Sequence, residues 1–263
     1  MQKVLILGHK GMLGRAVHLY FTTKKNDFVV LTINERWGTE DFKKILQEAD
    51  VEVIINCIGL IPQKKPSNEE YERVNVDLPI FLETLGKKII HPSTDCEFSG
   101  NIDTDIKYSK QDVRDAEDVY GKSKAKISVL IEKSFTNTKI IRTSIIGHEL
   151  NSHLSLLDWF LFSEEAVNGY INHYWNGITT LEWAKLCAEI INNWDKFPVL
   201  NQYGTLEIRS KYVLLNEIKH VYNKNIKINN FKALEKVNKC LESDKHIKPI
   251  REQLQELKSF YKK

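Results

Sequence analysis

The sequence predicts an α/β fold built on a doubly wound parallel sheet, and three observations predict it. Short apolar runs recur at residues 3–7, 28–33, 51–58, 87–90 and 139–141. Stretches of helical periodicity fill the intervals between them. The first run stops at Gly8 and turns helical after Gly14 through Ala16, Val17, Leu19 and Tyr20, giving a strand, a glycine turn and a helix. Parallel strands covered on both faces read as unbroken apolar runs, and their alternation with helices marks a sheet wound in both directions.

In chain order, helices are expected over residues 39–49, 68–85 and 119–134, the second kinked at Pro79, whose ring removes a ladder N–H. Beyond Gly147 the rhythm breaks. Trp, Asn, His and Tyr crowd residues 151–176, a composition that suits site-lining loops in a lobe better than further sheet. Helices are expected again at 181–193 and 211–222, with a strand at 205–209. Residues 249–263 read as a charged amphipathic helix with a solvated outer side.

Composition excludes several classes. With 42% hydrophobic and 28% charged residues, the 263-residue chain has the apolar content for a large core, so disorder is excluded. The net charge of +3 comes from Lys scattered among Glu and Asp, and no basic block offers a nucleic-acid surface. Cys57, Cys96, Cys187 and Cys240 lie far apart, with no C-x-x-C pair and no His at ligand spacing; neither a metal site nor a disulfide framework is expected. No apolar stretch reaches bilayer length and no leader precedes the apolar run at residues 4–7, so a cytoplasmic protein without a membrane partner is expected.

Gly8-His9-Lys10-Gly11-Met12-Leu13-Gly14 follows the first strand and opens the first helix. Backbone amides and the helix dipole at such a junction hold a pyrophosphate. The expected fold is therefore Rossmann-type, with a dinucleotide-binding domain over residues 1–147. Residues 148–263 are expected to form a smaller lobe that mainly binds substrate, with room for elements returned to the first domain.

The second strand ends in Thr32-Ile33-Asn34-Glu35-Arg36. An acidic residue at this tip grips a ribose 2′-hydroxyl, whereas cationic groups accommodate a 2′-phosphate. Lys10 and Arg36 favour the phosphate and hence NADPH, while Glu35 keeps NADH open.

Tyr120-Gly121-Lys122-Ser123-Lys124 places a tyrosine and a lysine one helical turn apart on one face. A phenol titrates near about pH 10 and an adjacent ammonium lowers that value, so the pair reads as a tuned acid. Ser93-Thr94-Asp95-Cys96-Glu97-Phe98 follows the run at residues 87–90, at the carboxyl end of a parallel strand where ligands of such sheets bind. There the Thr94 hydroxyl is placed to share a substrate oxygen with Tyr120; the plainer reading is a Ser/Thr turn.

Over roughly the first 180 residues the chain resembles the extended short-chain dehydrogenases, and within them the dTDP-4-dehydrorhamnose reductase group and GDP-fucose synthase. The resemblance is carried by Gly8, Gly11 and Gly14, whose two-residue first gap is the variant used there, by Asn56-Cys57-Ile58-Gly59, Asn75, Ser93-Thr94-Asp95, Tyr120 to Lys124, and Arg142-Thr143-Ser144. It implies a catalytic set of Thr94, Tyr120 and Lys124. It implies a cofactor site drawn from Gly8, Lys10, Gly11, Met12, Leu13, Gly14, Arg36, Cys57, Gly59, Tyr120 and Lys124. GDP-fucose synthase also uses a cysteine two places after its catalytic hydroxyl residue and a later histidine to epimerise its keto sugar; Cys96 and His153 stand in similar positions.

The activity so implied is NADPH-dependent reduction of the 4-keto group of a nucleotide-linked 4-keto-6-deoxyhexose, extended by prior C3 epimerisation if Cys96 and His153 act. Asn172-His173-Tyr174-Trp175-Asn176-Gly177 resembles reductases of UDP-linked acetamido deoxysugars and points to a UDP-2-acetamido-2,6-dideoxyhexos-4-ulose. A monofunctional reductase of the dTDP-4-dehydrorhamnose type and a non-catalytic nucleotide-binding regulatory subunit remain as alternatives, and a homodimer is left open.

Overall fold

The structure is a computed structural model that describes residues 1–24 and 27–262. Its first half runs β1 (Gln2–Leu7), α1 (Met12–Thr23), β2 (Phe28–Thr32), α2 (Glu40–Glu48), β3 (Val53–Asn56), α3 (Asn68–Tyr71), α4 (Leu78–Glu83), β4 (Lys88–Ser93), α5 (Val119–Ser134) and β5 (Thr138–Arg142). There follow β6 (Ile145–Ile146), α6 (Leu156–Phe162), β7 (Val167–Tyr170), β8 (His173–Trp175), β9 (Ile178–Thr179), α7 (Thr180–Asn192) and β10 (Leu200–Gln202). The chain ends with β11 (Arg209–Ser210), α8 (Lys211–Tyr222), β12 (Ile228–Phe231), β13 (Val237–Asn238) and α9 (Ile250–Tyr261).

Six strands form one parallel sheet in the order β10-β5-β4-β3-β1-β2. The chain winds from β1 out to β2, crosses back to β3 and continues the other way. Its direction thus reverses between β1 and β3, which leaves a crevice above their carboxyl ends.

Alternation along β1 builds the layers. Val4 and Ile6 pack with Val17 and Phe21 of α1 and Trp183 of α7, whereas Leu5 and Leu7 pack with Phe42 and Leu46 of α2 and Leu78 and Leu82 of α4. All four strand residues are at most 1% exposed, and burial of each contributes about 1.5–3 kcal/mol of transfer free energy. A second core, with Leu157 and Phe160 of α6, Leu215 and Ile218 of α8, Leu254 of α9 and Trp175, forms beside the sheet. Among the described residues no helix is long and apolar enough to cross a membrane.

Several expectations are revised. Residues 205–209 do not form a strand: only Arg209–Ser210 pairs, antiparallel to β8, and Thr205 N instead donates to the Asn176 carbonyl at 2.6 Å. The strand that joins the main sheet in this region is β10, which the pattern misses because two of its three residues are polar. Asn201 and Gln202 are buried all the same, since Asn201 donates to the carbonyls of Ile140 and Pro198 and Gln202 to those of Tyr108 and Glu242. Residues 151–176, where the composition suggests loops, contain α6 and strands of two minor sheets, β7 with β12 and β8 with β11 and β13. In the helical stretch expected over 68–85, Glu72–Asp77 widens to a π-helix just before Pro79. That widening absorbs the ring, so a local bulge stands where a kink is expected. Lys263, the end of the expected last helix, lies outside the described residues.

Candidate active site

Glycine lines the crevice above β1 and β3. Gly8 leaves β1 at φ +72°, a region that side chains disfavour, and a Cβ on it would sit 3.0 Å from Ile58 Cγ1. A Cβ on Gly14 would lie 2.1 Å from the Gly8 carbonyl oxygen, so the turn closes only with glycine there. Gly11 N donates to Gly8 O at 2.9 Å, and Gly11 begins α1 with no side-chain cap and no acidic residue in the first turn. The amides and the positive end of the helix dipole are thus left for an anion. Leu13 anchors this end of α1 in the core beside Val17, with Met12 half-buried next to it.

The loop after β3 is tied down from two sides. Cys57 N donates to Leu7 O at 3.0 Å. Asn75, buried in the π turn, accepts from Leu60 N at 2.9 Å and donates to Leu60 O at 3.2 Å and Ser123 Oγ at 3.1 Å. Gly59 stays exposed on that loop. Lys10 and Arg36 are also exposed, and Glu35 accepts from Asn34 N at 3.0 Å.

At the carboxyl end of β4 the chain makes a single turn, Asp95–Glu97, capped by Thr94: its Oγ1 accepts from Cys96 N at 3.1 Å and donates to Asp95 Oδ1 at 3.0 Å. α5 approaches so closely that a Cβ on Gly121 would lie 2.2 Å from the Cys96 carbonyl oxygen and 2.7 Å from Ala116 Cβ. That approach sets Tyr120 beside Thr94 and Cys96. Burial pushes the Tyr120 phenol well above the usual tyrosine range; Cys96 adds to the rise and the Thr94 hydroxyl opposes it. Burial likewise pushes the Cys96 thiol up to about 12, with Asp95 adding to it.

The spacing of Tyr120 and Lys124 leads one to expect the ammonium beside the phenol, and here the structure differs. Among the described residues Lys124 makes no hydrogen bond to Tyr120. Its Nζ is held against β4 instead, donating to the Pro92 carbonyl at 2.7 Å and lying 3.2 Å from His91 Nε2. Burial lowers Lys124 to about 8, against the attraction of Glu97.

Glu97 anchors the turn from within the core. Its fully buried carboxylate accepts from Ser93 Oγ, from Ser128 Oγ at 2.6 Å, from Arg114 Nε at 2.7 Å and from Arg142 Nη2 at 2.6 Å. Arg142, equally buried, also donates to Gln202 Oε1 at 3.0 Å. Two guanidiniums and two hydroxyls occupy the lone pairs that burial would otherwise leave unsatisfied.

A family model described as the RmlD substrate binding domain matches residues 1–168, more than half of the chain. The chain belongs to this family. No curated protein matches it. Among solved structures it is similar to a dTDP-4-dehydrorhamnose reductase of Clostridium acetobutylicum, at 17% identity and TM-score 0.81 over 99% of this chain and 100% of that one. It is similar to a dTDP-4-dehydrorhamnose reductase of Bacillus anthracis in complex with NADP, at 14% identity and TM-score 0.83 over 98% and 99%. A GDP-mannoheptose C4 reductase of Campylobacter jejuni with NADP bound gives 14% identity and TM-score 0.77 over 100% and 98%. At these identities the likeness is one of fold.

In this RmlD-family chain one cation near the Asp95–Glu97 turn has no precursor in the sequence reading. Lys211, the first residue of α8 and outside the matched segment, holds its Nζ 5.4 Å from the Trp175 ring centroid. Burial lowers its pKa, and the attraction of nearby Asp95, Cys96 and Cys240 opposes that. The signal that could have found it is Ser210-Lys211, a capping serine followed by a cation where the helix dipole favours an acid. His153, by contrast, is not brought to Cys96: it is exposed, and its ring stacks on Phe162 with centroids 3.7 Å apart.

Proposed function

We propose that the chain is an NADPH-dependent reductase of the 4-keto group of a nucleotide-linked 4-keto-6-deoxyhexose. The observation that carries this reading is the placement of Thr94 and Tyr120 together at the carboxyl end of β4, with Lys124 held against the same strand and β3 alone between β4 and the strand that ends in the open glycine turn. The cradle fits a dinucleotide, since glycine at 8 and 14 lets the turn close tightly against the start of α1 and nothing caps that helix end. NADP in two similar reductases supports the choice of cofactor. When bound, the reduced nicotinamide supplies hydride to C4.

The chain's own residues then do the rest. Gly11, Met12 and Leu13 present amides to the diphosphate, with Cys57 and Gly59 closing the far side, and exposed Lys10 and Arg36 meet the 2′-phosphate. Tyr120 gives its phenolic proton to the oxygen at C4 as negative charge develops there. A phenol is protonated at neutral pH, as a donor must be. Thr94 orients the same oxygen, and Lys124 holds the nicotinamide ribose. Tyr120→Phe is expected to retain NADPH binding and lose about 10²–10⁴-fold in turnover, read as loss of nicotinamide absorbance with dTDP-, GDP- and UDP-linked 4-keto-6-deoxysugars. A variant that keeps wild-type turnover refutes the assignment and favours a non-catalytic subunit.

A second reading adds C3 epimerisation. A 4-keto group acidifies the neighbouring C–H, and inversion needs a base on one face and an acid on the other. The supporting observation is the protonated Cys96 thiol beside Tyr120, suited to return the proton, with Lys211 near the same turn, where burial favours the free amine, the one form of it that can take up the C3 proton; His153 could serve only after its segment moved inward. Cys96→Ser is expected to abolish solvent-deuterium uptake at C3 while leaving reduction of an already epimerised substrate. Retained uptake removes the epimerase reading and leaves the monofunctional reductase.

A further inference from the structure

His91 lies within β4, 1% exposed, between Asn56 at the end of β3 and Lys124 on α5. The hydrogen bonds around it fix where the protons are. Asn56 Oδ1 accepts from Ile58 N at 3.0 Å, so the end of that amide facing the ring is Nδ2, at 3.2 Å from His91 Nδ1. The opposite orientation would press the NH2 group against the Ile58 N–H. Nδ1 is therefore an acceptor. The ring is neutral, because burial and then the neighbouring Lys124 hold its pKa well below the usual histidine value. Its one proton sits on Nε2, which faces Lys124 Nζ at 3.2 Å. An ammonium has no lone pair to accept that hydrogen bond, whereas an amine has one.

We infer that His91 is a positioning residue that stabilises Lys124 as a free amine, so that cofactor binding is coupled to protonation of Lys124. The inference rests on the reading that Lys124 holds the nicotinamide ribose. Ribose hydroxyls and the diphosphate charge favour the ammonium, which cannot keep its place at Nε2–H. Each side chain that is a free amine, the larger share only above about pH 8, takes one proton from solvent and exchanges His91 for the ribose. Of the surrounding charges, Glu97 draws Lys124 towards the ammonium but is shared between Arg114 and Arg142. Asp95, Cys96, Asp118 before α5, Tyr71 of α3, Lys211 of α8 and Lys239 act on the Cys96 and Tyr120 side of the cluster.

The size of the coupling follows from the pKa change. Lys124 stands at about 8 before binding, and an ordinary lysine value of about 10.4 afterwards gives an uptake of roughly 0.1 proton per site at pH 7 and roughly 0.9 at pH 9. A group whose pKa rises on binding loses affinity for its ligand as pH climbs, so NADP affinity falls above about pH 8.

Two measurements test this. In histidine-¹⁵N-labelled protein without cofactor at pH 9, His91 is expected to show a protonated Nε2 and an unprotonated Nδ1; the opposite tautomer overturns the inference whatever the cofactor does. Calorimetric titration with NADP in buffers of different ionisation enthalpy is expected to give the uptake above, to give none in Lys124→Arg, and to give less at pH 9 in His91→Gln, whose amide oxygen accepts from an ammonium. NADP binding without pH-dependent uptake overturns the inference and leaves the reductase reading standing. Failure of NADP to bind, with the Nε2–H tautomer present, overturns the reductase reading and the coupling while the His91 contact remains.

Discussion

Gly121→Ala separates placement of the catalytic tyrosine from stability of the fold. The added methyl carbon would stand 2.2 Å from the Cys96 carbonyl oxygen, about 1.2 Å short of ordinary contact, and 2.7 Å from Ala116 Cβ. Neither neighbour yields easily: the Cys96 carbonyl belongs to the turn that Glu97 fixes to Arg114 and Arg142, so α5 must give way. Tyr120 moves with it, away from Thr94. Overpacking of this kind costs about 1–3 kcal/mol, and the better helix propensity of alanine offsets up to about 1 kcal/mol of that. The net loss of at most about 3 kcal/mol lowers Tm by less than about 12 °C in a chain of this size. A displacement of about 1 Å at reacting groups costs on the order of 10²-fold in rate. Calorimetry and NADPH oxidation, measured on the same preparation, should thus diverge. A folded variant whose turnover stays within about threefold of wild type would show that the close contact does not position Tyr120.

Three further outcomes are expected. Glu97→Gln leaves two guanidiniums facing a neutral amide and costs about 3–5 kcal/mol, a fall in Tm of about 6–20 °C; thermal unfolding within about 2 °C of wild type would refute it. Arg36→Ala is expected to weaken NADPH binding on the order of tenfold and leave NADH binding unchanged, as read by fluorescence titration, and equal weakening of both would remove Arg36 from the 2′-phosphate site. Because burial pushes the Cys96 thiol up to about 12, only a trace of thiolate exists at neutral pH, so its alkylation by iodoacetamide, mapped by mass spectrometry, should keep rising through pH 10. A plateau by pH 9 would contradict that environment.

The sequence by itself determined the layered parallel sheet and the places where chemistry concentrates, because those signals are local. Residues 3–7, 51–58 and 139–141 are apolar without a break, as strands covered on both faces must be. Gly8 and Gly14 stand where the turn needs glycine, and Tyr120 and Lys124 share a face through helical spacing alone. Even α8 is delimited correctly at Lys211–Tyr222 from its periodicity.

Only the tertiary structure decided what surrounds those residues. Glu97 meets Arg142 across 45 positions, Asn56 meets His91 across 35 and His91 meets Lys124 across 33, and no periodicity carries such pairings. The same distance in sequence hid Lys211, detached His153 from Cys96, and buried the polar β10 against the carbonyls of its neighbours. Strand and helix patterns are imposed by each segment's own backbone geometry. The protonation state of Lys124 and the seating of Tyr120 depend instead on desolvation and on partners that the winding of the sheet delivers from distant parts of the chain.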